Sequence, residues 1–276
     1  IEHFGFTDGV SQPLFFATDL EKARMNGGLD AYDPSAPLCL ALNKDPLGAV
    51  SGYGSYLVFR KLAQDVAGFR NQEAQLAQAL GLSGDKAELA GAYIVGRFRD
   101  GTPVVQQPVP GWTNEPNNFD FDADVDGMRC PFQAHIRKTN PRGDKLREFG
   151  LAPGEDRSRR IARRAVSYGP LDLNPPPGAD VGLLFMCVQS SIVNQFEFMQ
   201  AIWCNFTQFL RPDTGLDPVI GQGVSGAAPT PQPWPQTWGI RRDGTVSFDF
   251  SPCVTMRGGE YFFMPSVSFF QSLQAS

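Results

Sequence analysis

Hydrophobic and polar residues alternate along the first half of the chain in a way that predicts one strand and two helices. Residues 56–62 (YLVFRKL) are typical of a strand, and residues 64–80 then carry apolar side chains at helical spacing. A second helix is predicted over residues 85–95. Residues 1–56 are rich in Gly, Pro, Asn and Asp with little periodicity. They are therefore predicted to form an ordered, loop-rich segment before one α+β domain over residues 57–276.

The second half of the chain contains the most apolar run of the sequence. Residues 181–188 (VGLLFMCV) are typical of a buried strand, and residues 192–206 (IVNQFEFMQAIWCNF) carry apolar side chains at helical intervals. Residues 210–250 are rich in proline and glycine, which predicts a long connection and no further core. Two apolar runs flank Gly258-Gly259, and this pattern predicts a hairpin with a two-residue turn. The fold class predicted from these elements is α+β.

Composition and charge describe an ordinary globular protein. The 276 residues are 42% hydrophobic and 19% charged, and no stretch approaches the roughly 20 apolar residues of a membrane helix. A net charge of −5 disfavours nucleic acid and anionic lipid as partners. We expect a soluble protein, secreted or cytoplasmic. Because the chain begins at Ile1, we also expect that an upstream segment has been removed.

The metal-ligating residues are few. The five cysteines include no C-x-x-C pair, which disfavours a zinc or iron–sulfur site. His3 and His135 are the two histidines, which excludes a three-histidine metal site. One well-placed imidazole is nevertheless sufficient for haem, because the porphyrin supplies four of the iron ligands.

Basic residues are concentrated between residues 137 and 164. Ten Lys or Arg face four acids there, a local charge of +6 in a chain of −5, which indicates a bound anion such as haem propionates or a phosphate, or else a solvated basic loop. Phe149 is the single aromatic residue between residues 137 and 165, which argues against nucleic acid. Near the N-terminus, GFTDG places Asp8 between two glycines, as in an ordinary turn or in a backbone that approaches a flat ligand closely.

Seven motifs occur in one order along nearly the whole chain. They are HFGFTDGVSQP (3–13), YIVGRFRDGTPV (93–104), RCPFQAHIRKTNPR (129–142), RRAVSYG (163–169), GLLFMCVQ (182–189), QFEFMQAIW (195–203) and VTMRGGEYFFMPS (254–266). This series resembles the catalytic, C-terminal portion of dye-decolourising haem peroxidases. A collinear series of motifs is far more specific than any one of them alone.

The resemblance implies a fold as well. Members of this family contain two ferredoxin-like α+β domains, of the dimeric α+β barrel type, and haem b is held mainly by the second. In the family the G-x-x-D-G motif follows a complete first domain, whereas here it begins at the fifth residue. Most of the first domain is therefore expected to be missing from this chain, either as a cleaved polypeptide that stays associated or because the chain is a fragment. Further oligomerisation is also open.

The resemblance also implies roles around the iron. His135 would be the iron ligand, and Asp217 is the first choice for a carboxylate bonded to its other ring nitrogen, with Glu197 as the rival. Asp8 would shuttle the peroxide proton, and Arg163 would stabilise the charge on peroxide until a ferryl intermediate forms. A long insert before Arg163 leaves the neighbouring arginines as alternatives; these are Arg157, Arg159, Arg160 and Arg164.

Further positions follow from the same comparison. Leu183 and Phe185 would form an apolar distal ceiling. The expected cofactor contacts are Gly9, Gln12 and Arg137. The expected electron relay to the surface consists of Trp203 and Tyr168.

The activity implied is oxidation by hydrogen peroxide of bulky aromatic reductants, such as anthraquinone dyes, phenols and lignin-like compounds. The alternative is a haem-handling or iron-releasing protein with weak peroxidase activity.

Overall fold

The structure of the chain is a computed structural model. It describes residues 1–9, 11–47, 52–111, 117–172, 175–176, 178–224 and 229–274. Within these residues no helix combines the length and the apolar character that a membrane crossing requires.

An antiparallel sheet is the centre of the fold. The long strand β2 pairs with β4 on one side and with β7 on the other, and β3 pairs with the far edge of β4, so the order is β3-β4-β2-β7. The short strand β1 pairs with the start of β2. A second, two-stranded sheet contains β5 and β6. The strands are β1 (Asn43–Lys44), β2 (Tyr53–Gln64), β3 (Ala162–Tyr168), β4 (Gly182–Gln189), β5 (Gln232–Pro235), β6 (Thr245–Phe248) and β7 (Val254–Met264).

Helices connect the strands, and most of them are short. The α-helices are α1 (Ala17–Met25), α2 (Val66–Ala79), α3 (Glu88–Val95), α4 (His135–Thr139), α5 (Asp144–Phe149), α6 (Pro153–Arg157) and α7 (Val267–Gln274). Two consecutive π-helical segments, Ile192–Glu197 and Met199–Cys204, follow β4. Single 3₁₀ turns occur at Leu38–Leu40, Gly84–Ala87 and Arg241–Asp243.

The main apolar core lies beside the sheet and not on it. Asp65 caps α2 by accepting a hydrogen bond from the Gly68 N–H at 2.9 Å, and the helix then buries Phe69 and Leu76 against α3. Helix α3 is apolar on nearly all sides and ends at Gly96, whose φ of 96° suits glycine. This core holds the carboxyl end of β2 in place and thereby orients the sheet.

The two faces of the sheet have different neighbours. Side chains alternate across a strand, so one set points to each side. One face lines a cavity through Arg60, Leu62, Gln64, Arg163, Ala165, Ser167, Leu183 and Phe185. We call the opposite side the outer face; it carries Leu57, Phe59, Leu184, Met186, Val166 and Phe262. Among the described residues, neither apolar core cluster includes an outer-face side chain.

The predicted elements of the main sheet are confirmed. The strand predicted at residues 56–62 is part of β2, the strand predicted at 181–188 corresponds to β4, and the helix predicted at 64–80 corresponds to α2. The helix predicted at 85–95 begins as a 3₁₀ turn and continues as α3. The helix predicted at 192–206 is present but is wound as π-helix.

The predicted hairpin at Gly258-Gly259 is wrong. Both glycines lie inside the continuous strand β7, opposite Lys61 and Arg60, beside a register shift in the pairing with β2. A Cβ at Gly259 would lie 2.6 Å from Cδ of Arg60 and 2.7 Å from the Phe59 carbonyl. The glycine therefore serves a close approach of two strands and not a turn.

Several other elements were not predicted, among them α1, β5 and β6. Helix α1 lies in the segment predicted to be loop-rich; it buries no residue, so its sequence carries little apolar period. Strands β5 and β6 lie in the proline-rich stretch predicted to be a connection. Trp234 of β5 is fully buried in the main core and donates from Nε1 to the Phe248 carbonyl at 2.9 Å.

Candidate active site

A cavity of about 570 Å³ adjoins the sheet, within the usual range of ligand pockets. The sheet forms one wall, and residues of α4 and the π-helical segments form others. Apolar side chains and arginines make up most of the lining. The apolar members include Phe6, Val95, Ile136, Leu183, Phe185, Met199 and Val219.

His135 enters this cavity from the first residue of α4. Its Nδ1 lies 2.9 Å from Oδ2 of Asp217, so the contact predicted from the sequence is present. An ionised carboxylate only accepts hydrogen bonds, so in the neutral imidazole the proton is on Nδ1 and the lone pair is on Nε2. Among the described residues Nε2 has no hydrogen-bond partner. This nitrogen is therefore available as a ligand on the cavity side.

Asp217 is fully buried behind the histidine. Its Oδ1 accepts from the backbone N–H groups of Val219 and Ile220 at 2.8 and 2.9 Å. Burial alone would raise the pKa of Asp217, but His135 and these two N–H groups outweigh it and hold the pKa below its ordinary value. The imidazole is thus backed by a carboxylate that stays ionised.

Lys138 fixes the loop that carries this carboxylate. Its Nζ donates to the carbonyls of Trp203, Phe206 and Gly215 at 3.0, 2.9 and 2.7 Å, which uses all three ammonium protons. Burial lowers the pKa of Lys138 to about 8. Sequence analysis missed this role, because a buried lysine cannot be told from a surface lysine in a basic segment.

Arg163 lies on the cavity face of β3, and Arg164 points to the outer face. Nη2 of Arg163 donates to Oδ1 of Asp8 at 3.1 Å, so the predicted pair is in contact. Strand alternation therefore selects Arg163 over Arg164. Gln12 clamps the arginine backbone: its Nε2 donates to the Arg163 carbonyl at 2.8 Å, and its Oε1 accepts from the Arg163 N–H at 3.0 Å.

Arg97 is a buried residue of this site that sequence analysis missed. It donates to the Gly101 carbonyl and to Oδ1 of Asn117, and Asn117 in turn donates to the Gly9 carbonyl at 2.8 Å. Burial and the neighbouring cations Arg142 and Arg163 lower the pKa of Arg97 to about 9. A Cβ at Gly9 would lie 2.8 Å from Nε of Arg97. Gly9 thus makes room for the arginine that supports the Asp8 loop.

Two more arginines add positive charge to the lining. Arg142 is stacked between Tyr32 and Phe119, with ring centroids 3.9 and 4.0 Å away, and donates to Oγ of Ser11 at 2.7 Å. Arg160 lines the cavity and donates to the Asp33 carbonyl at 2.9 Å. The described lining includes only two acids, Glu2 and Asp8, so this part of the cavity favours anions.

Arg137 is not part of the cavity lining, contrary to its expected role as a cofactor contact. Its guanidinium is fully buried, donates to Asp124 and Asp144 at 2.8–2.9 Å, and lies over Phe121 and Phe132. A cation held by two buried carboxylates serves the fold. Arg142 and Arg160 take its place as basic residues of the lining.

The other predicted residues are divided between the cavity and its surroundings. Leu183 and Phe185 lie on the cavity face of β4. Glu197 accepts a hydrogen bond from the Tyr261 hydroxyl and makes none with His135. Trp203 is only 6% exposed and packs against Phe198 and Phe209, one layer behind the lining.

Tyr168 points to the outer face of the sheet, where the Lys61 ammonium lies over its ring. Neither Trp203 nor Tyr168 therefore joins the cavity to solvent through its own side chain.

A cavity with one carboxylate-backed imidazole and an arginine–carboxylate pair is of the kind that can hold and use haem. A multifunctional dye peroxidase of Amycolatopsis sp. is 48% identical over 99% of this chain, and a dye-decolorizing peroxidase of Mycetinis scorodonius is 36% identical over 97%. The solved structure of a DyP-type peroxidase from Anabaena sp. is similar with a TM-score of 0.89 and 47% identity over 99% of the chain. No family model matches the chain.

Over nearly its whole length, the chain is thus similar in sequence and in fold to dye-decolourising peroxidases. It spans 61% and 55% of the length of the Amycolatopsis and Mycetinis relatives, and 58% of the Anabaena chain.

Proposed function

We propose that this chain supplies the haem-holding and peroxide-reducing site of a dye-decolourising-type peroxidase. The observation that carries the proposal is a single cavity lined by both His135, backed by Asp217, and the Arg163–Asp8 pair. The names of its relatives, which are dye peroxidases, agree with this activity.

The residues of the cavity fit haem. Nε2 of His135 is an available ligand, the walls beside it are apolar, and arginines are suited to the carboxylates of an amphiphilic porphyrin. The sequence lacks C-x-x-C-H and the described lining contains no cysteine, so the group proposed is haem b, held by the iron ligand and by non-covalent contacts. We further infer a ferredoxin-like arrangement, which the strand order β3-β4-β2-β7 supports.

When bound, haem would supply the redox-active iron at which hydrogen peroxide is reduced. The residues of this chain then handle protons and charge. Asp8 accepts a proton from one peroxide oxygen and returns it to the other, which leaves as water. Arg163 stabilises the negative charge that develops on the peroxide as its O–O bond breaks. Asp217 keeps the imidazole in the tautomer that binds metal and makes it more electron-donating.

The first experiment concerns haem itself. The purified protein loaded with haem should show a Soret band, and His135→Ala should lose haem, because the described lining offers no second imidazole. His3→Gln is the matched control, since it changes the other histidine and keeps a donor to the Tyr168 carbonyl. Equal haem content in His135→Ala and the parent would overturn the ligand assignment.

The second experiment separates the peroxidase from a haem-handling protein. Hydrogen peroxide mixed with the haem-loaded protein should change the Soret band rapidly, and an anthraquinone dye should then be consumed over many turnovers. Release of iron with only a few turnovers of dye would favour the haem-handling alternative.

A further inference from the structure

A surface phenol is connected to the cavity by two aromatic rings. Tyr261 lies on the edge strand β7 and is 37% exposed. The ring centroid of Phe196 is 6.3 Å from that of Tyr261 and 6.3 Å from that of Phe185. Phe185 and Phe196 both line the cavity. A continuous set of aromatic contacts therefore leads from the cavity to solvent.

The hydroxyl of Tyr261 is held between a cation and a carboxylate. It donates to Oε1 of Glu197 at 3.0 Å and accepts from Nη2 of Arg60 at 2.9 Å. The Arg60 guanidinium lies 5.2 Å from the ring centroids of both Phe196 and Tyr261, and its Nη1 donates to Sδ of Met256 at 2.9 Å. The phenol proton is thus directed at a group that can accept it.

This arrangement suits one-electron oxidation of the phenol. A phenol that loses an electron becomes a strong acid, so the loss is favourable only where a base lies within hydrogen-bond reach. Burial and the neighbouring Glu197 raise the pKa of Tyr261, so the phenol keeps its proton until it is oxidised.

Another tyrosine offers a comparison on the same face of the sheet. Tyr56 is 36% exposed and contacts Phe263 at 5.4 Å between ring centroids, but it makes no hydrogen bond to a carboxylate of the described residues. Exposure is therefore shared by both phenols, whereas the proton acceptor and the aromatic connection to the cavity belong to Tyr261.

We propose that Tyr261 is the surface position at which a bulky phenolic reductant delivers electrons, with Glu197 as acceptor of the phenol proton. The proposal rests on the proposed peroxidase function. Tyr261 loses one electron toward the site where peroxide is reduced, and its proton passes to Glu197. The neutral phenoxyl then takes one hydrogen atom from the reductant, which leaves as a radical. Glu197 then releases its proton, and two such cycles supply the two electrons and two protons that convert hydrogen peroxide into two waters.

The test compares Tyr261→Phe, Glu197→Gln and the control Tyr56→Phe as haem-loaded proteins. In all three the Soret change with peroxide should proceed at the parent rate. Turnover of a bulky phenolic reductant should fall by about 10²-fold in Glu197→Gln, the lower range for a lost general base, and at least as far in Tyr261→Phe. Tyr56→Phe should behave like the parent.

A second readout does not depend on turnover. After peroxide alone, a nitroso spin trap should form a covalent adduct that mass spectrometry locates on Tyr261 in the parent and in Tyr56→Phe. An adduct elsewhere, or parent-like turnover in Tyr261→Phe, would overturn the relay while leaving the peroxidase assignment intact. Absence of any Soret change with peroxide in the parent would instead overturn the proposed function, and the relay with it. The adduct in the parent decides the question even where a variant fails to fold.

Discussion

The charged residues around the cavity are held in place by hydrogen bonds to neighbouring groups. Asp217 is held by two backbone N–H groups, the Arg163 backbone by Gln12, and Arg97 by a carbonyl and Asn117. A charge that is already held in place would need little rearrangement in the proposed reaction with peroxide, which is the physical basis of electrostatic preorganisation.

Asp8→Asn tests proton transfer at one carboxyl group. The amide keeps the shape and still accepts a hydrogen bond from Arg163, but it cannot take a proton. We expect haem to bind normally and the reaction with peroxide to slow by about 10²–10⁴, the range of a lost general acid–base group. Stopped-flow spectroscopy at the Soret band measures both quantities. A nearly parental rate would assign O–O cleavage to the arginine alone.

Arg163→Leu tests the charge on the same wall, and Arg164→Leu is its matched control on the opposite face of β3. Loss of Arg163 should slow the peroxide reaction by an amount equivalent to about 2.7–4 kcal/mol, because the donor acts chiefly in the transition state, with a much smaller effect on haem content. Arg164→Leu should react like the parent. The reverse order would contradict the strand register.

Several of these residues could be identified from the sequence and others could not. The motifs indicated His135, Asp8 and Arg163, and a choice between two carboxylates for the histidine. Which carboxylate touches the imidazole depends on a contact across 82 positions of sequence, and no local pattern encodes it. Arg97 and Lys138 were missed because burial, and not residue type, gives them their roles.

At the scale of elements, apolar periodicity predicted the long strands, but it did not predict the features that depend on contacts between segments. Strands β2 and β4 were evident because their apolar runs are long, but the apolar run after β4 does not reveal that its backbone hydrogen bonds follow the i→i+5 pattern of a π-helix. Gly258-Gly259 has the composition of a turn, and its place inside β7 depends on the approach of Arg60 from the neighbouring strand. Such cross-strand contacts cannot be read from one segment.

The contact between α5 and the loop before Asp217 gives a prediction about acid stability. Arg211 donates to both carboxylate oxygens of Glu148, at 2.6 Å to Oε1, and this hydrogen bond is the main reason that the pKa of Glu148 lies below its ordinary value. A lowered pKa in the folded state stabilises the protein above the ordinary value, and the effect is lost as pH falls through the lowered one. Glu148→Gln should therefore lower the free energy of unfolding at pH 7 by about 0.5–1 kcal/mol.

Urea unfolding followed by circular dichroism at pH 7, 5 and 3 measures this difference. It should be constant from pH 7 to 5 and shrink toward pH 3, where the parent loses the charge as well. Glu21→Gln on the exposed helix α1 is the control and should show no such change. A difference that persists undiminished at pH 3 would show that packing, and not charge, carries the effect.

For the molecule as a whole, the outer face of the sheet is an apolar surface that the described residues leave partly uncovered. Its centre is apolar, and Val166 and Phe262 are each about half exposed. Contiguous apolar surfaces of this kind are typical of interfaces. We propose that it packs against a separate polypeptide of the same precursor, in keeping with the greater length of the relatives.

Native mass spectrometry of the protein isolated from its source should show that second polypeptide. Val166→Lys and Phe262→Lys should abolish the association, because a buried lysine without a partner is costly. Val193→Lys is the control, as it changes a residue that is exposed outside the sheet. A fully active monomer with the mass of this chain alone, indifferent to the outer-face substitutions, would refute the proposal.

The long sequence separations inside the cavity also set the order in which the site can form. The contact between His135 and Asp217 closes a loop of 82 residues, and the contact between Arg163 and Asp8 closes one of 155. Each closure costs chain entropy that only the surrounding core and sheet can offset. Both contacts are therefore expected to form late in folding, so we expect newly made protein to complete its tertiary structure before the proposed iron site is formed. Maturation should therefore proceed from folding to haem insertion, and haem supplied too early would meet a histidine without its carboxylate.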